Sequence, residues 1–562
     1  MSRKITGSHL IGKSLQLEGI SNVFGIAGDH VLPVMDVMYD MGFQFIDTRH
    51  EQASVQMADA WARITGKPGV AMYTTPGFAN AIPGLTSALN SEAPLLSISG
   101  SAPLHELGRG AMQEIEQIDM ASPVTKNAWL VTDPHRIPQM ISQALRIAFS
   151  QRRGPVHLTI PIDVQQATVL ENDITYYQPQ QYRPQTITQA PKEKIEETIE
   201  ILRKSNRPLI IAGSAAAYTG IGQEMEKFIE TSQIPFMTES NARGMVSDNH
   251  PNCVGFYDNG LNHVARKARD ADTVVLLGMK QDIIIGYALP PTISANTKVI
   301  QIDPSSIEIG RNRGVDIGIV GDISKIVEQL TEEASKFSWD GKAWTEELKN
   351  IRKLQLEELE ELAINENPPH AMFVHKTLKT MLRPDDFLSF EGGDFCHFGR
   401  AYIPAESPRS WNYFSPIGML GSGLTTAMAA KLAYPDRRSI SLTGDGSFGF
   451  NGMEFDTAVR HGINVVSIMG NDAAWGIDRQ IQLKVYGKAV ATDLLPTRYD
   501  KVVEGLGGHG EYVSDPDQLE GAIKRAFNAK KPSLVNIDIQ RAISPRAEAA
   551  IARWNSETYQ PF

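Results

Sequence analysis

Two cysteines, Cys253 and Cys396, are all that the 562 residues carry. They are too few for a disulfide framework or a zinc cluster, and a reduced cytosolic compartment fits. No apolar run reaches membrane-spanning length, and residues 1–10 hold no signal-peptide core. The expectation is therefore a soluble, cytoplasmic protein with no membrane role. Positive charge is also in short supply. A formal net charge of −11 argues against nucleic acid as the main partner, so an anionic ligand would need local cations or helix N-termini. No internal repeat or low-complexity tract suggests a solenoid or a disordered binding tail. Charged residues are 21% and hydrophobic ones 42%, an ordinary globular balance. At this length three domains are the natural division.

What is present is a repeated alternation of short apolar runs with amphipathic segments. In residues 1–165 the runs Val23–Ile26, Gly69–Tyr73 and Leu95–Ile98 read as buried strands separated by helical patterns. That pattern predicts an α/β fold with doubly wound parallel sheets. Residues 166–190, rich in Gln, Thr and Pro, read as an exposed linker. A second α/β unit covers 191–335, with strands expected at Pro208–Ala212, Thr273–Leu277 and Lys298–Ile302. Its turn from Gly213 to Gly222 lacks the register of a dinucleotide fingerprint and reads as plain turn chemistry. Residues 336–366 read as a charged, solvated connecting helix. A third α/β domain covers 367–540, leaving 541–562 as a C-terminal segment.

The densest stretch runs from residue 444 to 472, GDGSFGFNGMEFDTAVRHGINVVSIMGND. It follows the strand-like run Ser439–Thr443 and contains a helical pattern, then a second apolar run, Val465–Met469. Strand, glycine turn, helix, strand is a βαβ unit. Glycines at such a turn let backbone N–H groups approach a diphosphate at a helix N-terminus. Oxygen ligands on two neighbouring strand tips suit Mg²⁺. Elsewhere, Arg49-His50-Glu51 opens a helix at the end of the extended run Phe43–Thr48, a place where α/β proteins put their sites.

The stretch 444–472 resembles the signature of thiamine-diphosphate-dependent enzymes, which opens on GDG and closes on two adjacent amide residues. That resemblance implies thiamine diphosphate and Mg²⁺, with the metal held by Asp445, Asp472 and the carbonyl of Ala474. The family usually has Asn where this chain has Asp472, which adds a negative charge beside the diphosphate. Gly444, Gly446, Ser447, Asn471, Trp475, Gly476 and Ile477 complete this cofactor-binding set, Ile477 facing the substrate. In Pro416–Gly423, the resemblance makes Leu420 the apolar wedge beneath the cofactor, with Gly418 beside it. Val23-Phe24-Gly25, Arg49-His50-Glu51, Thr75–Asn80 and Gly110–Glu114 resemble the family's pyrimidine-binding domain. Glu51 then exchanges a proton with N1′ of the aminopyrimidine, a step the chemistry needs for carbanion formation; Gly28, Pro76 and Asn80 join the binding set. The middle domain of relatives holds a nucleotide portion, FAD or the ADP part of coenzyme A, for which Asp303 and Ser305 are candidates here. Relatives place the cofactor between two subunits, which implies a homodimer or a homotetramer with active sites at the subunit interface.

Two local patterns narrow the reaction. Phe448–Phe455 and Gly110–Asp119 resemble segments of oxalyl-CoA decarboxylases and 2-hydroxyacyl-CoA lyases. Ile46–Glu51, Glu454–Thr457 and Trp475-Gly476 resemble benzaldehyde lyase, a comparison that assigns His30 and Gln113 to the reacting carbon. The expected activity is cleavage of a 2-hydroxyacyl-CoA to formyl-CoA and an aldehyde or ketone, or the reverse carboligation. The alternative is a carboligase of the benzaldehyde-lyase or acetolactate-synthase kind acting on free small carbonyl compounds. Arg541, Arg546 and Arg553 would give the C-terminal segment the charge to close as a lid over an acyl-CoA substrate.

Overall fold

The computed structural model describes residues 3–183, 188–340, 342–413 and 416–554. It contains three six-stranded parallel sheets, each with helices between its strands, so the fold is three parallel-sheet α/β domains. The chain gathers into two compact units. One comprises Met1–Thr186, Phe414–Asp436 and Asn451–Asn464; the other comprises Ile187–Tyr413, Arg437–Phe450 and Val465–Phe562.

In the first unit β1 (Lys4–Thr6) is followed by β2 (Asn22–Gly25), β3 (Gln44–Asp47), β4 (Gly69–Tyr73), β5 (Leu95–Ser101), β6 (Asn127–Leu130), β7 (Val156–Pro161) and β8 (Thr168–Leu170). The large sheet has the order β3-β2-β4-β5-β7-β6. Every residue of β4, β5 and β7 is buried, as expected of strands covered by helices on both faces. From β2 the chain winds outward to β3, then returns across β2 to begin β4. The carboxyl ends of β2 and β4 thus flank a topological switch point, the crevice where open α/β sheets bind ligands. β8 corrects the linker reading at its start: Thr168–Leu170 pairs antiparallel with Lys4–Thr6. Residues 184–187 of that stretch lie outside the described residues.

The helix Ser422–Ala433, expected in the third domain, packs in this first unit against the helix Glu51–Thr65. Both helices are rich in small residues, and Ser422–Ala430 is buried on every side, so the two can approach closely. Thr425 Oγ1 and Asn451 Nδ2 both donate to Gln56 Oε1, over 3.0 and 2.9 Å.

The second unit holds two sheets. β9 (Pro208–Ala212), β10 (Phe236–Thr238), β11 (Cys253–Phe256), β12 (Thr273–Leu277), β13 (Lys298–Asp303) and β14 (Ile317–Val320) assemble in the order β11-β10-β9-β12-β13-β14. β15 (Phe387–Phe390), β16 (Trp411–Tyr413), β17 (Ser439–Gly444), β18 (Val466–Asn471), β19 (His509–Val513) and β20 (Ser533–Asp538) assemble as β16-β15-β17-β18-β20-β19. The switch point of this last sheet lies between β15 and β17, and β17 pairs in parallel with β18. The expected solvated helix at 336–366 is the helix Lys342–Glu361, and it is amphipathic rather than fully solvated. Trp344, Leu348, Gln355 and Leu359 are buried, and Gln355 Nε2 donates to Leu261 O over 2.9 Å.

Candidate active site

The first unit places Glu51 at the first position of its helix, directly after β3. His50 caps that helix by accepting from the Gln52 amide at Nδ1, 3.1 Å away. Glu51 is 8% exposed and accepts from Asn80 Nδ2 over 3.0 Å. Gly77 makes room for it: a Cβ there would stand 2.7 Å from Glu51 Oε1 and 2.9 Å from Tyr73 Cβ. A second carboxylate steadies the approach to the helix. Glu454 is buried and accepts the Arg49 N–H at both oxygens, at 3.0 and 3.1 Å, together with the Thr457 hydroxyl at 2.6 Å. Burial pushes its carboxyl up to about 7, against the pull of those hydrogen bonds. The turn before Ser422 uses positive φ at Gly418 and Gly421, and Leu420 offers its carbonyl to Gln52 Nε2 at 3.5 Å. Glu51, Asn80 and Leu420 are therefore brought together by one unit.

His30 stands in the short turn Asp29–Val31 beyond β2 and is buried. Gly28 precedes it with extended backbone, and a Cβ there would stand 2.5 Å from Thr74 Cγ2. The ring nitrogen Nδ1 meets the hydroxyls of Thr74 and Thr75 at 3.1 and 3.3 Å. Burial holds the imidazole below its ordinary range, with Asp29 opposing.

Gln113 does not join this group. It is exposed in the loop after β5, with φ at 60°. A buried amide near His30 is that of Gln117, four residues later, whose Nε2 donates to Thr75 Oγ1 over 3.2 Å and to Gly100 O over 3.1 Å. The sequence carried a signal for it, the second Gln of Gln113-Glu-Ile-Glu-Gln117.

In the second unit the glycine turn leads straight into a helix, Asp445–Asn451, so Asp445 sits at a helix N-terminus. Asp445 is 2% exposed and its Oδ2 has no hydrogen-bond partner among the described residues. Burial first, and then the charge of Asp472, raise its carboxyl to about 7. Asp472 follows β18 and is raised to about 6 by burial, with Arg541 opposing. The Ala474 N–H bonds to both carboxylates. A bridge to Asp493 is closed by Trp475 N to Thr492 O and by Leu494 N to Ala473 O, each 2.8 Å, leaving the Ala474 carbonyl outside those two bonds. Gly446 makes room for the indole of Trp475, since a Cβ would stand 2.7 Å from Cε3. Asn471 is committed locally: it accepts from Ala473 N over 3.1 Å and donates to Asn536 Oδ1 over 3.1 Å. Gly444 closes β17, Ser447 is buried one residue beyond Gly446, and Ile477 is half-buried at the start of the helix Gly476–Tyr486.

Sequence reasoning missed Asp394. It begins the helix after β15, across the switch point from Asp445, and accepts the Ser544 N–H at Oδ1 over 3.1 Å. Its Oδ2 has no hydrogen-bond partner among the described residues, and burial raises its carboxyl to about 6. Both Asp472 Oδ2 and Asp394 Oδ2 lie within 3.4 Å of where a Cβ on Gly476 would stand. Strand, two glycines and an aspartate (Phe387–Asp394) is the pattern that could have revealed it.

Among the described residues no three His, Cys, Asp or Glu side chains gather closely enough to hold a metal by themselves. The buried carboxylate of Asp445, the half-buried carboxylate of Asp472 and the Ala474 main-chain carbonyl nevertheless form an oxygen donor set that suits Mg²⁺. The arginines expected to meet a coenzyme A phosphate are engaged elsewhere. Arg541 donates to the carbonyls of Asp472 and Ala473 over 2.8 and 2.9 Å. Arg546 Nη1 reaches both oxygens of Asp258 at 2.9 Å. Residues 545–554 form a docked helix with Ala547 buried, while 555–562 lie outside the described residues. Asp303 is buried and accepts the Ser305 N–H over 2.9 Å, which makes these two a turn rather than an open ligand contact.

Comparison with known proteins places domain families along this arrangement. Residues 5–120 match the thiamine pyrophosphate enzyme N-terminal TPP binding domain, 195–330 the central domain, and 391–537 the C-terminal TPP binding domain. Over 94% of both chains it is 32% identical to a probable acetolactate synthase of Mycobacterium bovis. It is 29% identical to 2-hydroxyacyl-CoA lyase 1 of Mus musculus, covering 97% of this chain and 96% of that one. The 2-hydroxyacyl-CoA lyase of Arabidopsis thaliana is also 29% identical, over 95% and 96%.

Proposed function

We propose, from the premise that this chain belongs to the thiamine-diphosphate-dependent enzymes, that it cleaves the C–C bond of a 2-hydroxyacyl-CoA. The products are formyl-CoA and an aldehyde or ketone, and the enzyme also catalyses the reverse carboligation. The observation that carries this reading is the pair of segments Phe448–Phe455 and Gly110–Asp119, supported by full-length similarity to proteins named 2-hydroxyacyl-CoA lyase.

Asp445, Asp472 and the carbonyl of Ala474 would hold Mg²⁺ against the cofactor diphosphate. When bound, thiamine diphosphate supplies a nucleophilic carbon and a sink for the electron pair of the broken bond. With the cofactor bound, Glu51 would be the group that exchanges a proton with N1′ of the aminopyrimidine, Asn80 fixes its rotamer, and Leu420 would support the ring. His30 meets the substrate oxygen. In the net reaction the hydroxyl proton leaves, the C1–C2 bond breaks as a carbonyl forms at C2, and a proton delivered to C1 completes formyl-CoA. The active assembly is a homodimer or homotetramer, and the compartment is the cytoplasm.

The 32% identity to an acetolactate synthase supports a second reading, carboligation of free 2-oxo acids. The two are separated by incubating the protein with thiamine diphosphate, Mg²⁺ and a panel of 2-hydroxyacyl-CoAs, with products identified by mass spectrometry. Cofactor-dependent formyl-CoA is the expected result. Acetolactate from pyruvate with no formyl-CoA would select the second reading.

A further inference from the structure

One short helix grips the turn that delivers Glu51. The helix Glu454–Arg460 is anchored by the buried Phe455 and Ala458. Its two ends meet Asp47, Arg49 and His50, the residues that lead from β3 into the helix Glu51–Thr65. Glu454 accepts the Arg49 N–H at both oxygens, and it accepts the His50 N–H as well. Arg460 donates to the Asp47 carbonyl over 2.7 Å and also to the Asp47 carboxylate. His461 Nε2 stands 2.7 Å from Asp47 Oδ1. An acceptor therefore takes the N–H groups of the turn while donors take its oxygens. A turn held by both kinds of bond cannot roll or slide without losing one set.

The two grips differ in weight. The side chains of Arg460 and Asp47 are 34% and 50% exposed, so water screens that pair. Glu454 is 1% exposed, and bonds from an ionised acceptor to main-chain amides are the stronger kind. The carboxylate also faces the start of the Glu51 helix, where the helix dipole favours a negative charge. Asn80 fixes the Glu51 side chain relative to its own main chain. The position of that main chain is set by the amides just before it, and Glu454 holds two of them.

We infer that Glu454 is a positioning residue: by holding the Arg49 and His50 amides it places the main chain from which Glu51 reaches N1′ of the aminopyrimidine. The inference rests on the proposed role of Glu51. The stretch that opens on Gly444-Asp445-Gly446 then has a second duty, since its helix aims the acid of another domain.

The test uses the full-length protein and compares wild type with Glu454→Gln, Arg460→Ala and Glu51→Gln at pH 8, above the range in which Glu454 takes up a proton. Three quantities are read. Amide hydrogen exchange of the cofactor-free protein over residues 47–52 reports the grip itself. Calorimetric titration gives the affinity for thiamine diphosphate at fixed Mg²⁺, and NMR gives C2–H exchange at saturating cofactor. Glu454→Gln keeps one accepting oxygen and turns an N–H toward main-chain donors, so amide exchange over 47–52 should quicken while cofactor affinity holds. C2–H exchange should slow about 10-fold, less than the roughly 10²-fold that a 1 Å misplacement of a catalytic group costs. Arg460→Ala should move both rates the same way by a smaller factor. Wild-type C2–H exchange in Glu454→Gln would overturn the inference. A loss of cofactor affinity in step with the exchange rate would make Glu454 a general structural residue and overturn it too. Wild-type exchange in Glu51→Gln would instead remove Glu51 from the proposed function, and the inference with it. If Glu454→Gln does not fold, Glu454→Asp, which withdraws the same carboxylate by one carbon, makes the same comparison.

Discussion

Asn80 Nδ2 stands 3.0 Å from Oε2 of Glu51, and the pair fixes a carboxylate at the mouth of a helix. The amide comes from the helix Thr75–Asn90, whose start is set by Pro76 in its first turn. Two sequence-distant elements are thus needed to hold one acid in one rotamer.

Glu51→Gln should keep the fold and cofactor binding while stopping C2–H exchange. The amide keeps the side chain's shape but cannot exchange a proton, and general acid–base catalysis is worth about 10²–10⁴-fold. Asn80→Ala should fall between wild type and Glu51→Gln, because the acid remains but its rotamer is freed. Exchange of the cofactor proton followed by NMR measures both, and wild-type rates in Glu51→Gln would remove Glu51 from this role.

Glu454 predicts a pH signature of stability. Its folded carboxyl titrates at about 7, above an ordinary value of 4.5. Between those two pH values the folded state binds the proton and the unfolded state does not, so stability falls as pH rises through that window. The contribution is fully present below about pH 4.5 and gone above about pH 7. Glu454→Gln should therefore flatten the dependence of Tm on pH relative to wild type across the window. Parallel curves for the two proteins would show that the carboxyl does not titrate there.

The aspartates of the second unit give a metal prediction. Asp445→Ala removes the buried carboxylate whose Oδ2 has no hydrogen-bond partner among the described residues, and it should abolish Mg²⁺-dependent binding of thiamine diphosphate. Asp472→Asn should be tolerated, since it keeps an oxygen ligand and relieves the repulsion that Asp472 exerts on Asp445 and Asp394. Calorimetric titration with the cofactor at fixed Mg²⁺ distinguishes them. Loss of binding in Asp472→Asn would mean that the site requires the extra charge.

Local pattern made much of this visible before any coordinates. The runs Gly69–Tyr73, Pro208–Ala212 and Thr273–Leu277 are strands with those bounds, because apolar stretches bracketed by turns have few other options. The turn at Gly444-Asp445-Gly446 and the acid at Glu51 were legible for the same reason: strand, turn and helix start lie within a few residues. What escaped depends on contacts that sequence spacing does not encode. Asp394 matters because the winding of the sheet carries β15 next to β17, and Gln117 because its short helix returns beneath β5. Gln113 drew attention by resemblance, yet its loop leaves it exposed. Arg541 and Arg546 looked like free charge until the carbonyls of Asp472 and Ala473 and the carboxylate of Asp258 were found beside them.

That last pairing changes what the C-terminal segment is expected to do. A lid that only covers substrate could be removed without touching the cofactor. Here Arg541 holds the two carbonyls that precede Ala474, where Ala473 adopts a φ of 52°, and the Ser544 N–H holds Asp394. The turn that presents the Ala474 carbonyl is therefore braced by the segment itself. Strained backbone of this kind persists only where neighbours over-determine it. Truncation after Gln540 should weaken Mg²⁺-dependent cofactor binding as well as turnover, and Arg541→Ala should reproduce the binding loss to a smaller degree, about 10-fold if it removes roughly one charge-assisted hydrogen bond. Titration of thiamine diphosphate into the truncated protein at saturating Mg²⁺ decides the point. Unchanged cofactor affinity together with a raised KM for the acyl-CoA would return the segment to the role of a substrate lid.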